Sequence, residues 1–207
     1  MSFYEHYVLP HALNLACGFK AIRRQRRKVV PAAEGRVLEI GFGSGLNVPY
    51  YDFGKVTKIW ALEPAEGMRR LARKRMNPVR AEFEFIDLPG EEIPLEDASV
   101  DTVLCTFTLC TIPDTSAALA GMRRVLKPGG RLLFCEHGRA PDERVRRWQD
   151  RLNRPWSRIA GGCQLNRDIP ALIREAGFRI EEEDSMYVPG GPKMLSWQWW
   201  GSARPGR

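Results

Sequence analysis

Apolar positions along this chain follow two alternating rhythms. Short runs rich in β-branched and aromatic residues recur at Val37–Ile40, Lys58–Leu62, Glu82–Ile86, Thr102–Thr106, Arg131–Cys135, Arg179–Ser185 and Ser196–Ser202, and predict seven strands. Between them the spacing changes to that of a helix face. Met68, Leu71, Ala72 and Met76 share one stripe, and Leu119, Met122, Val125 and Leu126 another. Asp114 or Thr115 can cap the second of these helices, and Lys127-Pro128-Gly129-Gly130 stops it. Asp168 precedes Ile169-Pro170, and Gly177 closes the helix that follows. Strands alternating with helices predict an α/β layered domain.

The first predicted strand runs into Glu39-Ile40-Gly41-Phe42-Gly43-Ser44-Gly45. Glycines at alternate positions let a backbone pass close to a ligand, and a helix opening there would offer free N–H groups. A dinucleotide loop would read G-x-G-x-x-G, whereas here an acid stands two places before the first glycine. A carboxylate at Glu39 suits a cationic ligand such as S-adenosylmethionine and would repel a pyrophosphate. Glu63 ends the second strand eighteen residues after Gly45, where a carboxylate accepts hydrogen bonds from ribose hydroxyls; the competing reading is a solvated loop acid.

These stretches, with Leu62-Glu63-Pro64, Ser99-Val100-Asp101-Thr102-Val103, Arg124 to Gly130 and Leu132 to His137, resemble the class I S-adenosylmethionine-dependent methyltransferases over nearly the whole chain. The resemblance implies a Rossmann-like three-layer sandwich with a seven-stranded, mostly parallel sheet and an antiparallel last strand. It implies S-adenosyl-L-methionine as cofactor, held by Glu39, Gly41, Phe42, Gly43, Gly45, Asn47, Glu63, Pro64, Met68, Gly90, Glu91 and Thr106. A narrower resemblance, to proteins that methylate small alkyl thiols, rests on Cys105 to Cys110, Glu136-His137 and Gly162 to Asp168. Quinone and phospholipid methyltransferases share the broad motifs. After the third strand the family's acid–Ala/Gly–Glu pattern is replaced by Pro89-Gly90-Glu91, which moves adenine recognition to Glu91 or Asp87, with the Gly90 N–H still available.

Methyl transfer is an in-line displacement, so alignment and a dry pocket matter more than strong acids or bases. A thiol acceptor ionises near neutrality, while an amine or phenol needs a base within reach. His137, with Glu136 beside it, is the candidate base; the alternative is a histidine that orients a loop. Cys110 and Cys163 are read as small pocket or core residues, and His6 and His11 as packing or surface residues. Acceptor selection is expected from an N-terminal helical lid over residues 1–30, beginning Phe3-Tyr4-Glu5-His6-Tyr7, and from an acceptor-side insertion over 140–165 that carries Trp148, Leu152, Trp156 and Ile159. Trp197, Trp199 and Trp200 are assigned to strand packing.

With 207 residues and 43% apolar content the chain is expected to form one domain, 1–207. No run spans a bilayer and no secretory leader is recognised, so a cytoplasmic protein is expected. Five cysteines without a C-x-x-C pair read as reduced thiols, and three histidines out of ligand spacing with them read as no metal site. The net charge of +7 comes from dense runs such as Arg23-Arg24-Gln25-Arg26-Arg27-Lys28, which are usually solvated helix faces. Nucleic acid is disfavoured for want of a binding module, and peripheral membrane contact is preferred to it. The sequence therefore points to a methyltransferase acting on a small, fairly apolar acceptor, a thiol first. The alternatives are a quinone precursor or phospholipid headgroup, or cofactor binding without turnover.

Overall fold

In a computed structural model, which describes residues 8–76 and 81–206, the seven predicted stretches form one seven-stranded sheet. Its strands are β1 (Gly35–Ile40), β2 (Val56–Leu62), β3 (Glu82–Ile86), β4 (Val100–Thr106), β5 (Leu126–His137), β6 (Phe178–Tyr187) and β7 (Trp197–Pro205), in the spatial order β3-β2-β1-β4-β5-β7-β6. The first five pair in parallel, while β7 inserts between β5 and β6 antiparallel to both.

Alternation along each central strand divides the core into two layers. Leu38 and Ile40 of β1 join Val103, Cys105, Leu132 and Phe134 on one face. Val37, Ile59, Ala61, Leu104, Leu133 and Cys135 face the other way. The first layer is covered by α4 (Thr115–Val125) and α6 (Ile169–Glu175), through Leu119, Met122, Ile169 and Ile173. The second is covered by the end of α2 (Lys20–Val29) and by α3 (Glu66–Met76), through Val29 and Ala72. α1 (Leu9–Cys17), α5 (Glu143–Ile159) and the short α7 (Lys193–Ser196) complete the helices among the described residues. The predicted caps form: Asp114 accepts from Ala117 N at 2.9 Å and Asp168 from Ala171 N at 3.2 Å.

One boundary differs from the sequence reading. Lys127 to Gly130 does not separate α4 from β5; the helix ends at Val125, and Leu126 already pairs with Val100. The register then shifts before Arg131 pairs with Thr102, so the Pro-Gly-Gly segment is taken up as an irregularity inside the ladder, with Gly129 at φ 83°. Trp197, Trp199 and Trp200 pack as expected: Trp197 meets Tyr187 and Trp199 edge-on at 4.7 and 5.7 Å, and Lys28 lies over the ring of Trp200. No helix among the described residues is long and apolar enough to cross a membrane. The leader residues Phe3 to Tyr7, including His6, lie outside the described residues.

Candidate active site

The sheet order reverses direction between β1 and β4, and the carboxyl ends of β1, β2 and β4 open there onto a cavity of about 940 Å³. The glycine loop forms one wall. Gly41, Gly43 and Gly45 all have positive φ, at 67°, 57° and 76°. A Cβ on Gly41 would lie 2.3 Å from the Thr108 side chain. At Gly43 the nearest neighbours of such a Cβ would be Gly41 O at 3.8 Å and Met68 Cε at 3.9 Å, both on the cavity wall, so this glycine leaves open space for a ligand rather than for the fold. Glu63 braces the loop, accepting from Gly43 N and from Ala65 N at 2.9 Å each. Burial raises its carboxyl above the usual range, against those two hydrogen bonds.

The structure places the sequence-predicted residues unevenly. Gly41, Phe42, Gly43, Glu63, Pro64, Met68, Gly90, Glu91, Thr106 and His137 line the cavity. Asp87 is exposed and does not, whereas Glu91 lines it and accepts from Asp114 N at 3.2 Å. Gly45 packs instead against Phe42 and Ala72, beneath the loop. Glu39 and Asn47 also lie beneath the wall, which corrects the expectation that the Glu39 carboxylate meets the ligand. It sits on the inward face of β1, 1% exposed, and both its oxygens are occupied, by Asn47 Nδ2 at 2.8 Å and Tyr51 OH at 2.5 Å. Burial pushes it to about 7 despite those hydrogen bonds.

What reaches the cavity from that network is a residue the sequence reading passed over. Arg26 belongs to the basic run of α2, yet it is only 5% exposed, while Arg23, Arg24, Arg27 and Lys28 face outward. Its Nη1 donates to Asn47 Oδ1 at 2.9 Å and Thr106 Oγ1 at 2.8 Å, and its guanidinium lies 4.8 Å above the Phe107 ring. Its Nε is buried without a partner. That nitrogen is sealed from the cavity, so Arg26 meets a ligand through its charge and the rest of its side chain, and a nearby guanidinium suits an anionic group. The signal was present in the sequence: Ile22, Arg26 and Val29 share one helix face, and Ile22 and Arg26 both line the cavity.

α1 closes the cavity from above. Asn14 Oδ1 accepts from Ser44 Oγ at 2.7 Å and Arg75 Nη2 at 3.0 Å, pinning the helix to the glycine loop. Leu9 and Leu13 approach Gly161 in the turn after α5, where Trp156 also faces the cavity. Of the other insertion residues, Trp148 and Ile159 are exposed.

The opposite end carries sulfur and imidazole. His137 Nε2 lies 2.9 Å from Cys163 Sγ, and Cys163 Sγ lies 3.7 Å from Cys110 Sγ. The hydrogen bond from Cys110 and, after it, the bond and charge of His137 pull the Cys163 thiol down to about 4 against the cost of burial. Burial opposes a charged His137, but the hydrogen bond and charge of Cys163 and the charge of Glu136 outweigh it and raise the imidazole. Both shifts favour the charged forms of Cys163 and His137, and His137 Nε2 is engaged with the sulfur. Glu136 does not touch the cavity either: it is fully buried and accepts from Thr108 N at 2.8 and 3.0 Å. It holds the turn that follows β4, where Phe107 takes the strained φ of 57° and enters the wall, so Glu136 is a positioning residue. Cys110 and Cys163 line the cavity, as expected of pocket residues, and His137 at the end of β5 meets Cys163 there.

The wall therefore offers a glycine loop open at Gly43, a carboxylate at Glu63, the guanidinium side chain of Arg26 and otherwise mostly apolar lining. These fit a ligand with sugar hydroxyls, an amino-acid carboxylate and an uncharged ring. Residues 38–134 match the family model described as a methyltransferase domain. The chain is 36% identical over 171 residues to thiol S-methyltransferase TMT1B of Rattus norvegicus, covering 78% of this chain and 69% of that protein. The chain belongs to the S-adenosylmethionine-dependent methyltransferases. Thiol S-methyltransferase TMT1A of Homo sapiens is 30% identical over 172 residues, covering 81% of this chain and 68% of the relative. A SAM-dependent methyltransferase from Thermotoga maritima superposes with a TM-score of 0.65 at 23% identity, covering 97% of both chains, and shares the fold. The cofactor of this methyltransferase is S-adenosyl-L-methionine.

Proposed function

We propose that this methyltransferase methylates small, fairly apolar thiols. The observation that carries this reading is the engagement of His137, the one imidazole on the cavity wall among the described residues, with Cys163. Among the described residues the titratable side chains on the wall are Arg26, Glu63, Glu91, His137 and Cys17, Cys110 and Cys163. His137 is engaged with Cys163, while Glu63 and Glu91 stand on the glycine-loop and β3 sides and brace backbone N–H groups there. An amine or phenol needs a base held at the methyl group, whereas a thiol supplies its own anion near neutral pH. The apolar lining from α1 and from the turn after α5 suits an alkyl or aryl body, and the relatives named above are thiol S-methyltransferases.

When bound, the cofactor supplies an electrophilic methyl on a sulfonium centre. The chain supplies position and dryness. Arg26 would face the amino-acid carboxylate of the cofactor, with Asn47, Thr106 and the buried Glu39 fixing the guanidinium. Glu63 accepts from hydroxyls through its remaining lone pairs, and the Gly43 backbone permits close approach. Met68, Pro89, Gly90 and Glu91 border the ring site, and α1, tied to the loop through Asn14, excludes water. Free cysteines beside this cavity fit a reducing compartment such as the cytoplasm. Outward Leu15, Phe19, Arg23 and Arg24 on α1 and α2 support peripheral contact with an anionic membrane surface, from which apolar acceptors could enter. The test is formation of S-adenosylhomocysteine with purified protein and a series of alkyl and aryl thiols. Turnover on amines or phenols but not on thiols would refute it.

A further inference from the structure

We propose that Cys110, His137 and Cys163 form a binding site for a thiophilic divalent cation, zinc, with its open coordination position facing the cavity. The three residues come from the loop after β4, the end of β5 and the turn after α5, and their ligand atoms all lie within 4.8 Å of one another. In a tetrahedral zinc site with Zn–S near 2.3 Å and Zn–N near 2.0 Å, the S···S edge is about 3.8 Å and the S···N edge about 3.6 Å. The two sulfurs, 3.7 Å apart, already stand at that edge. The imidazole, 2.9 Å from Cys163 and within 4.8 Å of Cys110, has to swing away from the first sulfur and toward the second, by roughly 1 Å, to admit the ion. Two thiolates and one imidazole are a donor set that selects zinc over hard cations.

The loops that carry the ligands are fastened to one another. Gln164 N donates to Cys110 O at 2.7 Å, joining the two cysteine segments directly. Arg167 reaches back to the carbonyls of Leu109 and Ile112, on either side of Cys110. Asn153 receives Leu165 N at 2.7 Å and donates to Gln164 at 2.5 Å, tying the same turn to α5. Such bracing holds a ligand set in place before the ion arrives. All three ligands also line the cavity, which leaves a fourth position toward the ligand space, as in zinc sites with three protein ligands and an exchangeable fourth. Zinc with two thiolates and a neutral imidazole has no net charge, which suits an apolar wall. On the thiol reading given above, on which this one clause rests, an acceptor thiol entering the fourth position would lose its proton to solvent and be held as a thiolate.

The test is metal binding by the full chain, reduced and stripped with chelator, titrated with zinc against a chromophoric chelator and separately with cobalt. The expected result is one equivalent per chain and a thiolate-to-cobalt absorption band. Cys163→Ser and Cys110→Ser should each weaken zinc binding by more than about 100-fold. Cys17→Ser, which alters a cavity cysteine outside the cluster, should leave it unchanged. Melting and S-adenosylhomocysteine affinity close to those of the parent show that the serine variants fold. A reduced parent chain that retains no zinc would overturn the site, as would stoichiometric binding that survives both serine substitutions. So would a Cys110–Cys163 disulfide that forms in air despite saturating zinc. Zinc binding without turnover on any thiol would support the site and remove only the thiol reading.

Discussion

Gly43 and Gly41 stand two residues apart in one loop, and the structure assigns them different duties that substitution can separate. Both have positive φ, so any side chain costs about 1–2 kcal/mol in backbone strain. For a chain of this size that corresponds to a fall in Tm of roughly 2–8 °C. At Gly43 that is the whole cost to the apo protein, because a new Cβ meets nothing closer than 3.8 Å. The side chain projects where the ligand must approach, so Gly43→Val is expected to weaken S-adenosylhomocysteine binding by at least about tenfold, or 1.4 kcal/mol. Gly41→Ala adds a collision with Thr108 at 2.3 Å, which displaces the wall and costs a further 1–3 kcal/mol or about that. Calorimetric titration with S-adenosylhomocysteine and thermal melts of both variants separate the two effects. Gly43→Val with unchanged affinity would refute the placement of the cofactor on this loop, whatever happened at Gly41.

Arg26→Met should weaken binding of S-adenosylhomocysteine far more than that of methylthioadenosine, which lacks the amino-acid portion; equal losses would remove the carboxylate role. Glu136→Ala strands the Thr108 N–H and releases the strained turn at Phe107, so unfolding free energy should fall by about 1–3 kcal/mol in urea titrations. Glu39 titrates near 7 in the folded chain against 4.5 for the free group, so between those pH values the folded state holds a proton that the unfolded state has lost. Stability should therefore decline as pH rises through that window and level off above it, by up to on the order of 3 kcal/mol for this residue. Glu39→Gln should flatten part of the slope in urea unfolding between pH 5 and 7.5. Glu136, which burial raises to about 7 as well, and Glu63, which burial also raises, contribute to the remainder.

The sheet was legible because its signal is local. The strands at Val37–Ile40 and Thr102–Thr106 are near-continuous apolar runs, as parallel strands covered on both faces require, and they extend the expected bounds by only two residues at their starts. The glycines were legible through their positive φ, but the helix expected to open from the loop does not form, and only the short 3-10 turn Val48–Tyr50 follows. Glu39 and Glu136 were misjudged because an acid near a strand end reads as exposed, whereas here alternation turns each inward to a partner supplied from another segment. Arg26 was masked by its neighbours: one inward arginine among four outward cations reads as a solvated run until the helix stripe through Ile22 and Val29 is followed. The Cys110, His137 and Cys163 cluster has no local spacing at all. Its members are more than two dozen residues apart and meet only because β4, β5 and the turn after α5 end at the same edge of the sheet.

The central claim is methyl transfer to a thiol without a protein base, and its most direct measurement is S-adenosylhomocysteine formation over a panel of small thiols, a quinone precursor and phosphatidylethanolamine vesicles. Selective turnover of apolar thiols is the result predicted. Turnover confined to the quinone precursor or the phospholipid, with the thiols untouched, would contradict it.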